Sequence, residues 1–276
     1  MDTIWHSRYF SGNRLMKSPK RLIDLNSDLG ESFGSWKMGD DSTMLSLVTS
    51  ANIACGGHAS DPDNMFKTIS MARDRGVIVG AHPGYPDLLG FGRRRIPYSP
   101  TEIQRFCIAQ IGALIAIGTL AHAPVRYVKP HGALGNLAAD DRAVAEAIAD
   151  GVAALGGLAI LAISGTELES VARARGMEVY SEIFADRSYT SRGRLVPRDH
   201  PEAMITDPQK AVNRLLHFFD SGAMPTIEGT QVRLQADSIC IHGDSPHAVA
   251  MGQRLKKALS EAGIAFAPFV AASTVH

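Results

Sequence analysis

Four histidines, His58, His82, His131 and His242, each follow a short apolar run, so imidazoles recur where strands would end. An imidazole exchanges protons near neutral pH and, as the neutral base, ligates metals. The earliest polar cluster holds acids instead: Asp24, Asn26, Asp28 and Glu31 sit on and just beyond an apolar run at residues 22–25. Strand alternation puts Asp24, Asn26 and Asp28 on one face, where two carboxylates and an amide are expensive to bury unpaired. Two uses are open for them. One carboxylate, its pKa raised by its neighbour, could serve general acid/base catalysis. Alternatively the acids could join histidines around a divalent metal, with Asp28, His58 and His82 as ligands and Asp24 as the base. Taken singly, such acids also cap turns, and a lone histidine is as often structural.

Further clusters follow along the chain. Asn52 leads to Gly56, Gly57 and His58; two glycines let backbone N–H groups approach a ligand, and a helix opening at Pro62 adds a positive end, so an anion could rest there. His82 begins a Gly/Pro-rich loop that runs through Asp87 to Arg93, Arg94 and Arg95. Such loops build substrate walls, and one of these arginines, Arg93, is a candidate to clamp an oxyanion. Lys129 and His131 share one strand end, Glu182, Asp186 and Arg187 another, and His242 and Asp244 the last. Cys55, near the same region, is more in keeping with a packing residue than a nucleophile. Carboxylates with imidazoles suit hydrolysis of an amide-type bond, in which water loses a proton and the leaving nitrogen gains one. The chain has neither a Gly-x-x-x-x-Gly-Lys-Ser/Thr phosphate loop nor a dinucleotide glycine fingerprint, so ATP use would rest on a less obvious site or another chain.

The elements that must position these groups alternate strand and helix about seven times. Apolar segments at residues 22–25, 51–55, 77–81, 127–128, 158–163, 179–183 and 238–241 are mostly continuous in apolarity, as strands buried on both faces are. Ser99, Pro100 and Glu102 spell a capping box with a first-turn proline; Asp61-Pro62, Asp207-Pro208 and Ser245-Pro246 repeat the cap-then-proline device. Gly76, Gly176 and Gly263 stand where helices would stop. Polar residues at almost every strand end, rather than at one switch point, favour a closed (β/α) barrel of TIM-like type over an open sheet.

At 276 residues the chain fits one barrel of about 250 residues. Residues 21–276 are therefore expected to be the barrel, and residues 1–20, polar and basic with no apolar segment, a disordered extension. Met16 is an alternative start. Twenty-eight basic and 28 acidic residues cancel, so no basic face for nucleic acid is expected. Unbroken apolar runs are too short to span a bilayer, so no membrane partner is expected. Three cysteines, Cys55, Cys107 and Cys240, are too few for disulfide stapling and point to a reducing cytoplasm.

Six segments in order, Asp24-Leu25-Asn26-Ser27-Asp28-Leu29-Gly30-Glu31, Ala51-Asn52-Ile53-Ala54-Cys55-Gly56-Gly57-His58-Ala59, Gly80-Ala81-His82-Pro83-Gly84-Tyr85-Pro86-Asp87, Lys129-Pro130-His131-Gly132-Ala133-Leu134, Phe184-Ala185-Asp186-Arg187 and His242-Gly243-Asp244, closely resemble the LamB/YcsF family, known as the A subunit of the prokaryotic 5-oxoprolinase. The resemblance implies a barrel, often seven-stranded, of the kind shared with glycoside hydrolases and polysaccharide deacetylases. It also implies ATP-dependent opening of the lactam 5-oxo-L-proline (pyroglutamate) to L-glutamate, with two partner subunits, B and C. Asp24, Asp28, His58, His82, His131 and His242 are then expected around the reacting amide, and Asn26, Glu31, Asn52, Gly56, Gly57, Arg93, Lys129, Glu182, Asp186 and Arg187 against the substrate. Gly57 stands where the family commonly has a bulky aromatic, Ser60 where glycine is frequent, and Gly135 where tyrosine normally follows. Loss of two large side chains is expected to widen the pocket, toward a larger lactam or related cyclic amide. Two other readings stand beside this one: a metal-dependent deacetylase or amidohydrolase acting alone, and a non-catalytic subunit that captures a lactam.

Overall fold

The polar cluster at Asn26 and Asp28 is part of the first strand rather than a loop after it. β1 (Arg21–Leu29) turns Ile23, Leu25 and Leu29 to the apolar layer and Asp24, Asn26 and Asp28 to the opposite face, all buried. A computed structural model describes residues 21–243 and 248–271. The expected extension at residues 1–20 with Met16, together with Asp244 and the Ser245-Pro246 cap, lies outside the described residues.

After β1 the described chain runs α1 (Asp41–Met44), β2 (Ser50–Ala54), α2 (Pro62–Asp74), β3 (Ile78–His82), α3 (Pro100–Leu120), β4 (Val125–Val128), α4 (Gly132–Asp140), α5 (Arg142–Leu155), β5 (Ala159–Ile163) and α6 (Glu167–Ala174). It continues with β6 (Val179–Phe184), α7 (Pro208–Ser221), β7 (Ala223–Pro225), β8 (Gln231–Arg233), β9 (Ser238–Cys240), α8 (Ala248–Glu261) and β10 (Ile264–Phe266). Strands β1 to β6 and β9 pair in parallel, and β9 returns to β1, so seven strands close a barrel inside its helices. The expected seven-stranded, TIM-like (β/α) barrel is what forms. The antiparallel β7–β8 hairpin stands outside it; three-residue strands leave too short a pattern to read.

β1 has two partners on one edge. Residues 21–23 pair with β10, Arg21 opposite Ile264, while Asp24 to Asn26 pair with β9, Asp24 opposite Ser238. The end of the described chain also plugs the barrel's floor. Phe269 sets its ring 4.9 Å from Tyr127 and 4.7 Å from Tyr180, and Val270 packs with Ile78, Ala159 and Leu161.

The signals in the sequence act as their chemistry dictates. Ser99 and Glu102 complete a reciprocal capping box with Pro100 in the first turn, and Asp61 and Asp207 cap α2 and α7. Gly76 and Gly176 take φ of +67° and +70° just past α2 and α6, where a Cβ would crowd the carbonyl. α3 is long and apolar enough by length and composition to cross a bilayer. Its Ile103, Cys107, Ile111 and Leu114 are buried and it packs against α2 and α5, the place of a barrel's outer helix. Cys55, Cys107 and Cys240 are buried and unpaired by disulfides. Burial pushes the Cys55 thiol up to about 12, which removes the thiolate a nucleophile needs.

Candidate active site

The barrel interior is filled by polar side chains that satisfy one another. Lowest is Asp24, which accepts hydrogen bonds from Thr49 Oγ1, Ser50 Oγ and Ser238 Oγ. Above it Asn26 donates from Nδ2 to Glu182 Oε1 (3.0 Å) and to Ser238 Oγ (2.7 Å), and Asn52 donates to Asn26 Oδ1 (2.7 Å) and Asp28 Oδ1 (2.8 Å). Tyr127 donates to Asn52 Oδ1 at 2.6 Å, which fixes that amide's orientation. Lys129 Nζ reaches Glu182 Oε1 at 2.8 Å, Asp28 Oδ1 at 2.9 Å and Cys240 Sγ at 3.1 Å. One cation thus serves two buried carboxylates, the arrangement that makes such burial tolerable.

Asp28 is the hub. Its Oδ2 lies 3.3 Å from His82 Nε2 and 4.0 Å from His242 Nε2. Burial alone would raise this carboxyl, but His82, Lys129 and His242 around it hold it well below its ordinary range. Burial raises Glu182 against the pull of Lys129, and Glu182 Oε2 has no hydrogen-bond partner. Asp186 grips His242 Nδ1 at 2.9 and 3.0 Å, so the ring's other nitrogen faces Asp28. Burial would raise Asp186, and His242 more than offsets this, so it stays low.

Beside the hub the other imidazoles gather. His131 Nδ1 stands 3.0 Å from His82 Nε2, His58 Nε2 stands 3.0 Å from Glu31 Oε1, and the His58 and His131 rings stack with centroids 3.6 Å apart. Glu31, His58, His82 and His131 bring one donor atom each within 4.8 Å of one another, and Asp28, Cys240 and His242 make a second such group among the described residues. The metal set expected from sequence, Asp28, His58 and His82, is not the one that converges. Burial and the neighbouring imidazoles push His58 and His131 well below the usual histidine range.

A cavity of about 610 Å³ opens over this floor, within the span of small-molecule sites. Asp28, His82, Arg93, Lys129, His131, Glu182, Arg187 and His242 line it, with Arg95 of the same arginine run as Arg93, and so do Asn136, Phe184 and Arg198, which sequence reasoning missed. Arg198 follows Val196-Pro197 in an irregular segment, away from any strand end, and so carried no signal. Burial and the Arg198 charge lower Arg187 to about 10. Arg187 Nε is buried and has no hydrogen-bond partner.

Several candidates stand elsewhere. Asp24 lies a layer beneath the cavity, and Asn26, Asn52 and Asp186 act through the residues they hold. Glu31 and His58 sit behind the lining, because the loop over His58 is close: a Cβ on Gly92 would come 2.6 Å from His58 Cβ. The anion rest at Gly56 and Gly57 does not form. Gly56 N donates to Ala59 O, and the amides opening α2 are taken by Asp61's own carboxylate. Gly57 does not enlarge the pocket either, since Gln110 Oε1 would lie 2.4 Å from a Cβ there. Gly135 does line the cavity, and a Cβ on it would meet Pro130 O at 2.7 Å.

Asp24 yields a pH prediction. Burial, only partly offset by the Ser238, Ser50 and Thr49 hydroxyls, raises its carboxyl from 3.8 to about 6. The folded state therefore holds this proton more tightly than the unfolded chain, and the associated stability is present at low pH and lost as pH rises through 4 to 6, by at most about 3 kcal/mol. Asp24→Asn removes that dependence. Urea unfolding at pH 4.5 and 7 is expected to show the variant gaining on the wild type as pH rises; a pH-independent difference refutes the assignment.

Comparison with known proteins agrees with the fold and the ordered motifs. The sequence profile of the LamB/YcsF family matches residues 23–274. The chain is 47% identical over 250 residues to a 5-oxoprolinase A subunit, the third so numbered, of Pseudomonas syringae pv. tomato, covering 90% of this chain and 98% of that one. It is 48% identical over 246 residues to the 5-oxoprolinase A subunit of Gluconobacter oxydans, covering 89% and 97%. The crystal structure of a lactam utilization protein from Thermus thermophilus superposes with a TM-score of 0.83 at 41% identity, covering 89% of this chain and 98% of that one. On this ground the chain belongs to the LamB/YcsF family.

Proposed function

We propose that this barrel is one subunit of an ATP-dependent lactam hydrolase that opens 5-oxo-L-proline to L-glutamate in the cytoplasm, together with subunits B and C. Near-full-length likeness to relatives named as the A subunit of 5-oxoprolinase carries the reading. The cavity floor supplies a chemistry for it.

A five-membered lactam is a stable amide, so ATP makes the carbon electrophilic by phosphorylating the amide oxygen and leaving as ADP. Water adds at the ring carbon, the C–N bond breaks as the nitrogen takes a proton, and a second water releases phosphate from the acyl phosphate. His242 is the candidate base for water: Asp186 holds Nδ1 and Nε2 faces Asp28, the base-and-orienter geometry of activated hydrolysis. Asp28, held ionised, steadies His242 and His82. Glu182, raised and with Oε2 free of partners, is placed to give the proton to nitrogen. Lys129, Arg93 and Arg187 set positive charge against the phosphoryl group or the substrate carboxylate.

The test is reconstitution of the three purified subunits with 5-oxoproline and ATP, following glutamate and ADP. Equal yields of both that vanish when this chain is left out are expected. Glutamate formation unchanged without it overturns the reading, and ring opening without ATP favours a stand-alone amidohydrolase.

A further inference from the structure

The hydrogens on two imidazoles are fixed by backbone carbonyls. His82 Nδ1 lies 2.7 Å from Lys129 O and His131 Nε2 lies 2.9 Å from Phe91 O. A carbonyl only accepts, so each of these nitrogens carries the hydrogen and donates it. Where both rings are neutral, the inward atoms, His82 Nε2 and His131 Nδ1, are lone pairs that face each other at 3.0 Å. Two acceptors at that distance repel unless a Lewis acid sits with them. Glu31 Oε1 is 3.6 Å from His131 Nδ1, and Asp28 Oδ2 is 3.3 Å from His82 Nε2.

We propose that Glu31, His82 and His131 hold one first-row divalent transition-metal ion, with Asp28 at its edge. An imidazole that donates its outer N–H to a backbone carbonyl is held as metal-ligating histidines are. Two neutral nitrogens with carboxylate oxygens favour zinc, manganese or iron over calcium or magnesium. Carboxylates at Glu31 and Asp28 balance a 2+ charge, and Lys129 occupies only the other oxygen of Asp28.

His58 is a support rather than a ligand. Its ring lies parallel to His131, 1° between planes, so the in-plane lone pairs of the two rings cannot both aim at one ion. Its Nε2, 3.0 Å from Glu31 Oε1, instead donates to that carboxylate and orients it. His82, His131 and Asp28 line the cavity, so an ion among them is reachable by a substrate oxygen or a water.

The proposal is independent of the lactam reading, because binding is read on this chain alone. The purified full chain, stripped with chelator, is titrated with Zn²⁺ and separately with Mn²⁺, and retained metal is measured by mass spectrometry after desalting. One equivalent per chain is expected for at least one of them. Binding weakens by about 100-fold or more in His131→Ala and Glu31→Gln, and by about tenfold in His58→Phe, the scale of losing an outer partner. Near-ultraviolet circular dichroism checks each fold; should His131→Ala fail to fold, the near-isosteric Glu31→Gln decides. No retained ion, or retention indifferent to Glu31→Gln, overturns the site. So does a nitrogen NMR signal for one proton shared by His82 and His131 that persists when metal is added.

Discussion

Asp28→Asn is expected to lower ATP-dependent ring opening in the reconstituted system by about 10²–10³-fold, the scale seen when one preorganised electrostatic group is removed. The side chain keeps its shape, so packing is not the cause. What changes is charge. Asp28 is the anion on which Lys129 Nζ, His82 Nε2 and His242 Nε2 converge, at 2.9, 3.3 and 4.0 Å. An asparagine oxygen attracts a cation weakly, so Lys129 Nζ loses one of the two anions it faces. Steady-state glutamate release with subunits B and C present, beside a melting curve showing an intact fold, checks this. Turnover within about threefold of wild type, against the scale expected of a group that orients a catalytic base, would sink the assignment.

Lys129→Met is expected to cost about 3–5 kcal/mol of stability at neutral pH, as for other buried pairs broken from one side. Lys129 is 4% exposed and its charge serves Asp28 and Glu182 together. Methionine fills the same channel beside Phe184 without charge, leaving two carboxylates in a dry interior. Those acids answer by binding protons more tightly than in the unfolded chain, so the deficit against wild type is largest at neutral pH and shrinks as pH falls. Urea unfolding at pH 7 and pH 5 measures both. A deficit below about 1 kcal/mol at pH 7, the range of a surface pair, would show that the cation matters little.

The barrel was legible because seven apolar runs, six of them followed by ionisable groups, fit few architectures besides a closed ring of parallel strands. Helix boundaries were legible where Ser99, Asp61 and Asp207 satisfy the first amides. The vertical order of the site was not. Asp24 and Asp28 look alike in sequence, yet four residues of β1 separate a carboxyl raised by burial from one held low by three partners. The donors that make the difference, Thr49, Ser50, Ser238 and Tyr127, are residue types found everywhere in proteins, and only the closed barrel brings them round. The glycines misled for a related reason. Whether Gly57 opens a pocket depends on Gln110, fifty-three positions later, which fills the space. Glu182 was seen as a contact residue, while its unpartnered oxygen makes it the stronger candidate for proton transfer.

β1 also carries a lesson about how the chain is made. Its outer edge is completed by β9 and by Ile264 to Phe266, the last strand among the described residues. Until then a nascent chain exposes that edge together with the acids of Asp24 and Asp28, with Lys129 present but Ser238 still missing. Closure across more than two hundred residues carries a large loop entropy and comes late. Chaperone dependence is therefore expected to fall abruptly once residues 238–266 are free to pair with β1, rather than strand by strand.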